Sequence, residues 1–418
     1  MKAAKKPELL VPAGSLEVLK TAVRYGADAV YIGGEAYSLR AKAKNFSIED
    51  MSEGVRFAHD HGVKVYVTAN ILAHEEDIED ARRYFTELKK IGPDAILIAD
   101  PGLFTIEREV CPEIPVHIST QANNTNHMTF KFWHDLGAER VVCARELSLE
   151  EIRMLRDRIP ADMEIECFIH GAMCISYSGR CLLSAYMTGR EANRGECTHP
   201  CRWKYAVVEE QRPGEYMPVD ENERGTFIFN SKDLCMIEHV DSLVDAGINS
   251  FKIEGRMKTA LYVATVARTY RRAIDDLFKS PELYRDNMPW YKSEIGKCTY
   301  RQFTTGFYFG KPDNTTQIYD NSTYVVESVY LGIIEGVSGD GKIRLTQKNK
   351  FCVGDTIEIM KPDGENIPVS VVRIESEDGI SQESANHACQ VIYVTFKTSD
   401  GRSIKEVAQP GDLLRADA

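Results

Sequence analysis

Eight short apolar runs, separated by amphipathic stretches along the first 280 residues, limit this chain more than any other feature. They are ELLVPAG, ADAVYIGG, VKVYVTAN, DAILIAD, VHISTQ, RVVCARE, EIECFIHG and SFKIEGR, beginning near residues 8, 27, 63, 94, 116, 140, 164 and 250. Near-continuous apolar runs belong to strands buried on both faces, as in parallel sheets covered by helices. The stretches between them include SLEVLKTAVRYG, SIEDMSEGVRFAHDHG, DIEDARRYFTELKKIG, SLEEIRMLRD and SKDLCMIEHVDSLVDAG, all with helical patterning. Ser15 reads as the N-cap of the first, which closes near Gly26. Eight such units predict an α/β fold, a (β/α)8 TIM-like barrel over residues 1–280; a doubly wound sheet is the alternative.

In a barrel the C-terminal ends of the strands share one face, where active sites are built. Polar residues gather at those ends: Gly33, Gly34 and Glu35; Thr68 and Asn70; Asp100; Thr120, Gln121 and Asn123; Arg145 and Glu146; His170; Glu254 and Arg256. Strand ends meet water and loops are polar, so each alone also has a bland explanation. About eighty residues separate the seventh and eighth strands, and the excess, 171–232, holds YSGRCLLSAYMTGREANRGECTHPCRWKY. An insertion of that length on the functional face is expected to form a lid or a cofactor site. After a connector at 281–322, residues 323–418 carry short β-type runs such as STYVVESVYLGIIEGV, DTIEIM, PVSVVRI and VIYVTFK, split by SGDGK and KPDG. They predict a small C-terminal all-β barrel domain.

The formal charge of −12 argues against a wholly basic surface, although a local basic groove for nucleic acid remains compatible with it. No apolar run approaches the length of a membrane span, and MKAAKKPELL is not followed by a signal-type apolar core. A cytoplasmic protein with no membrane partner is therefore expected, and its eleven cysteines should stay reduced. Clustered cysteines in that setting suggest metal or redox chemistry. Cys174 and Cys181 follow the seventh strand, Cys197 lies further along the insertion, and Cys235 falls where the helix after NSKD should open. Cys201, four residues beyond Cys197, is a fifth candidate. Four thiolates from separate loops suit tetrahedral zinc or a [4Fe-4S] cluster, and buried free thiols are the plain alternative. Cys111, Cys143, Cys298, Cys352 and Cys389 are scattered and read as fillers. Alternation along EIECFIHG puts Glu164, Glu166, Phe168 and His170 on one side and Cys167 on the other. HExxH, G-x-S-x-G and calcium-loop patterns are absent, and so is the radical-SAM cysteine run.

ELLVPAGSLEVLKTAVRYGADAVYIGG, ECFIHGAMCISYSGRCLLS, NRGECTHPCRWKY and FKIEGRMKTALYVATVARTYRRAID closely resemble the collagenase-like peptidase family U32. The resemblance extends over essentially the whole chain, including RQFTTGFYFG and the β-rich tail. It implies an iron-sulfur protein for oxygen-independent hydroxylation of tRNA, ribosomal RNA or a quinone precursor. With this length and tail, the members it most resembles form 5-hydroxyuridine at the tRNA wobble position, with prephenate as a co-substrate of the pathway. By motif the cluster ligands implied are Cys174, Cys181, Cys197 and Cys235, with Cys201 also in the motif.

On that basis the expected catalytic residues are His170 as acid or base, Tyr177 and Glu254, and the expected substrate-binding residues are Gln121, Asn123, Arg145 and Arg256. The two guanidiniums suit carboxylates, or else pair with Glu146 and Glu254. RNA contacts are expected from Arg180, Arg190, Arg194, Arg202 and Lys204, or from Arg268, Arg271 and Arg272, with Trp203 or Tyr205 stacking a base or packing in the insertion. The partners expected are tRNA, a paralogous protein and an electron donor. A peptidase, or a non-catalytic RNA-binding protein with a structural cluster, are the alternatives.

Overall fold

The computed structural model describes residues 5–34, 45–174, 176–178, 180–203, 206–207, 217–218, 232–311 and 325–418, and for Arg202, 206–207 and 217–218 the backbone alone. Glu35, Lys204 and Tyr205, expected at the functional face, lie outside the described residues. The first seven strands are β1 (Glu8–Pro12), β2 (Ala29–Gly33), β3 (Lys64–Ala69), β4 (Ala95–Ile98), β5 (Val116–Ile118), β6 (Arg140–Val142) and β7 (Glu164–Ala172). Then come β8 (Asp233–Cys235) and β9 (Ser250–Ile253). Strands β1 to β7 pair in chain order, all parallel, and β9 closes the ring between β7 and β1 through Ser250↔Glu166 and Glu8↔Ser250. Among the described residues this is an eight-stranded parallel barrel, as the apolar runs predict. The strands are buried almost throughout, and each large aliphatic side chain so placed contributes roughly 1.5–3 kcal/mol.

Helices cover the barrel, and their starts follow from capping chemistry. Ser15 accepts the Val18 N–H ahead of α1 (Leu16–Arg24), and Ser47 accepts that of Asp50 ahead of α2 (Ile48–Asp60). Gly92, at φ +71°, ends α3 (Ile78–Ile91) in the left-handed conformation that suits glycine. The ring continues with α4 (Pro101–Val110), α5 (His127–Asp135) and α6 (Leu149–Arg156). A short α7 (Leu183–Thr188) lies in the cysteine-rich insertion, and α8 (Val240–Asp245) precedes β9. The long α9 (Ala260–Lys279) is buried along most of its length, because it lies between the barrel and the tail.

The strand β8 departs from expectation. SKDLC was expected to open a helix, but Asp233–Cys235 runs antiparallel to the end of β7, with Cys235 opposite His170. That end outruns its parallel neighbours and offers unpaired backbone groups, which β8 satisfies. In the connector, α10 (Pro281–Asp286) and α11 (Met288–Ile295) pack on α9, and β10 (Phe303–Thr304) pairs with β8.

The tail strands are β11 (Ser328–Val337), β12 (Ile343–Thr346), β13 (Thr356–Met360), β14 (Asn366–Ser376), β15 (Val391–Thr398) and β16 (Leu413–Asp417). They pair in the order β13-β16-β11-β12-β15-β14 and close where β13 meets β14. The two barrels are fastened together by polar bonds. Tyr25 donates to the Met360 carbonyl at 2.6 Å, and Arg268 of α9 meets Glu294 at 2.6 Å. Glu294 also receives Arg415 of β16 at 2.5 Å.

Candidate functional site

A cleft of about 160 Å³ opens at the C-terminal ends of the barrel strands, and its wall is built from several strand ends. Tyr31, Leu97, Phe168 and Lys252 form the floor; Thr68 and Asn70 come from the end of β3 and Gln121 from the turn after β5. Arg145 follows β6, and Glu254 and Arg256 follow β9. Over this rise Cys174, Tyr177, Cys181, Cys197, His199 and Cys201. A larger hollow of about 540 Å³ lies at the other end of the barrel, lined by Lys64, His117, Arg140 and Glu164 among others. There Arg140 is held by Glu8 at 2.6 Å, Glu164 at 2.5 Å and Glu166 at 3.2 Å, so its charge is already matched; that end of such barrels serves stability.

Three cations and one carboxylate converge on the cleft. Arg145 lies over the Phe168 ring, 4.0 Å from its centre, and donates to the Ala172 carbonyl at 2.9 Å rather than to Glu146. Its Nη1 is also 4.0 Å from Cys174 Sγ. Arg256 donates to Thr68 Oγ1 at 2.8 Å, and Tyr31 donates to Glu254 at 3.2 Å. Lys252 is buried with its ammonium 2.6 Å from Glu166 and 4.6 Å from the centre of the Tyr31 ring. Burial pulls its pKa down, opposed by the nearby Glu166 carboxylate. Lys252 was missed as a site residue, although the alternation of KIEGR places Lys252, Glu254 and Arg256 on one side.

Cys174, Cys181, Cys197 and Cys201 all border the cleft; Cys235 does not. Cys235 is buried in β8 with its sulfur 3.8 Å from the Tyr270 hydroxyl, and burial pushes its thiol up to about 11. Cys201, the fifth candidate, is thus the fourth thiol that lines the cleft, while Cys235 lies on β8 with its sulfur toward α9. As they stand, no three His, Cys, Asp or Glu side chains among the described residues are close enough together to hold an ion. The chemistry of the set still fits a thiolate-bound group, since four reduced cysteines border one cleft.

His170 is also displaced from its expected place. A bulge in the β7–β9 pairing falls between Lys252 and Ile253, where Ile253 meets His170 instead of Ile169. The extra residue reverses the alternation, so Phe168 faces the cleft and His170 does not. The imidazole packs among Tyr262, Tyr270 and Phe303, with ring centres 6.0, 5.6 and 5.5 Å away, and is 1% exposed. Burial holds it neutral, with a pKa lowered to about 3. An acid–base role at the cleft does not fit that position. Asn123, at φ 55°, stands behind the wall and donates to the carbonyls of Gln121 and Ser178, both at 2.9 Å, tying down the cysteine loop. Tyr177, Glu254, Gln121, Arg145 and Arg256 do reach the cleft.

Of the expected RNA-contacting residues, Arg180 and Arg190 are exposed. Arg194 is held by Asp77 at 2.9 Å. The α9 arginines are structural: Arg268 is buried against Glu294, Arg271 bonds Asp28 at 2.7 Å, and Arg272 lies over Trp290. Trp203 is half exposed rather than packed away, and Tyr186, at 86%, is more exposed still.

A family model described as "Peptidase family U32" matches residues 14–318, and one described as "Peptidase family U32 C-terminal domain" matches 327–415. The chain is 42% identical over 389 residues to tRNA hydroxylation protein P1 of Bacillus subtilis (strain 168), covering 93% of this chain and 91% of that protein. It is 40% identical over 414 residues to tRNA hydroxylation protein P of Escherichia coli (strain K12), covering 90% of each. A 23S rRNA 5-hydroxycytidine synthase of the same E. coli strain is 39% identical over 272 residues, 65% of this chain and 40% of that protein.

Proposed function

The chain belongs to peptidase family U32, and from that premise we propose that it is an RNA-hydroxylating enzyme that converts the tRNA wobble uridine to 5-hydroxyuridine without molecular oxygen. The observation that carries the reading is the meeting of four thiols with three cations at one cleft on the reactive end of the barrel. Cys174, Cys181, Cys197 and Cys201 are the residues that would hold a [4Fe-4S] cluster. When bound, such a cluster would supply a one-electron carrier for the two-electron oxidation that puts a hydroxyl on the base. The chain's own residues do the rest. Arg145 and Arg256 hold the carboxylates of a prephenate-like co-substrate, and Tyr31 and Arg256 keep the walls in register through Glu254 and Thr68. Tyr177, Tyr186 and Trp203, with Arg180 and Arg190, provide stacking faces and charge for a tRNA loop.

Nucleoside mass spectrometry of tRNA from a deletion strain tests this. Wild-type chain should restore 5-hydroxyuridine and Cys181→Ser should not; unchanged 5-hydroxyuridine on deletion would sink the reading. One contact favours a second reading, a thiol peptidase: Cys197 Sγ lies 3.8 Å from His199 Nδ1. It requires that iron-free protein cleave a peptide and that His199→Ala abolish the cleavage.

A further inference from the structure

Asn70 stands one residue past β3, on the cleft wall, and is 9% exposed. Its amide nitrogen donates to Ser119 Oγ at 3.1 Å, while its Oδ1 has no donor. Gln121 Oε1, on the same wall, also has no donor. Leaving a buried acceptor unmatched is costly, so two of them in one cleft point to a ligand that brings N–H or O–H groups. The neighbouring side chains have the opposite character. Arg256, Lys252 and Arg145 are donors, and Arg145 Nε itself lacks an acceptor. Thr68, which receives Arg256, is two residues before Asn70 on the same side of β3, so a donor and an acceptor stand next to each other.

A ligand carrying only carboxylates would satisfy the cations and leave both amide oxygens unmatched. A planar ring with an N–H flanked by carbonyls brings a donor for one of the two amide oxygens, with acceptors on either side of it, and stacks on Tyr31, Phe168 or Tyr177. The imide edge of uracil has that pattern, and a base is read on this edge once it is drawn out of the stack into a pocket. We propose that the cleft takes an extruded uracil base and that Asn70 Oδ1 accepts its N3–H, which makes Asn70 a specificity-determining residue. This rests on the RNA-hydroxylation reading above.

The test uses the anaerobically purified full chain and fluorescence anisotropy with two tRNA anticodon stem-loops. One carries uridine at the wobble position, and the other carries 3-methyluridine, in which a methyl group replaces the N3 hydrogen. Wild type should bind the uridine RNA about tenfold more tightly. Asn70→Ala should bind the two within about twofold of each other, while Asn70→Asp, which keeps an acceptor, should retain the preference. If Asn70→Ala keeps the tenfold preference, or wild type binds both RNAs equally, the proposal is overturned and RNA hydroxylation stands. If wild type binds neither RNA, both fall.

Discussion

Two cysteines show how much a side chain's role depends on what surrounds it. Cys201 borders the cleft with three other thiols, whereas Cys235 lies on β8 with its sulfur 3.8 Å from the Tyr270 hydroxyl. Cys201→Ser is therefore expected to lower the iron content of anaerobically purified protein at least severalfold, and Cys235→Ser to leave it unchanged, as read by colorimetric iron assay. A Cys235→Ser protein without iron would restore that residue to the ligand set. His170 makes a different prediction. Its folded pKa, about 3, lies below the 6.5 of a free imidazole. Between those values the unfolded chain binds a proton that the native ring does not, so stability is complete above about 6.5 and is lost as pH falls toward 3. The loss can reach about 1.4 kcal/mol per pH unit. His170→Phe should flatten that part of the acid branch in Tm measurements from pH 7 to pH 5, and should still support tRNA hydroxylation. Equal acid slopes for the two proteins would show that the ring titrates normally.

At the level of elements, the strand starts were legible because burial on both faces demands unbroken apolar runs; 164 and 250 are where β7 and β9 begin. The bulge at the end of β7 was not legible, since alternation presumes an uninterrupted ladder. Gly171, beside that bulge, has φ +111°, and a β-carbon there would meet the Glu254 carbonyl oxygen at 2.5 Å. Gly171→Ala is expected to cost about 1–3 kcal/mol through the disfavoured backbone conformation, and to disturb Glu254 and the Cys174 loop together. Thermal unfolding and iron content should both fall; a variant that melts like wild type would show that the turn relaxes freely. SKDLC misled for a related reason. Its Leu and Cys fit a helix face as well as a strand, and only the unpaired edge of β7 decides between them.

For the whole molecule, the interface between the two barrels depends on Glu294, which is buried and bound to both Arg268 and Arg415. Removing it leaves buried Arg268 without its carboxylate and Arg415 with Glu358 alone, at 2.9 Å, so Glu294→Ala is expected to cost about 3 kcal/mol. Calorimetry should show one transition for wild type and two for the variant, as the tail separates from the barrel. A single transition at the wild-type temperature would mean that the interface is held by other contacts. The same interface explains why the arginines of α9 read as an RNA surface: a helix that is charged along one face is solvent-exposed unless a second domain covers it. Among the described residues, no helix is long and apolar enough to cross a membrane. Local chemistry written into the sequence determined the eight-strand count, the helix caps, the β-rich tail and three of the four thiols at the cleft. These depend on periodicity and on neighbours close along the chain. The tertiary structure alone decided that Cys201 faces the cleft and Cys235 does not, that His170 turns away, and that Asn70 and Lys252 reach the site. Those outcomes depend on a bulge and on strand edges meeting across residues far apart in sequence, where no local pattern carries the information.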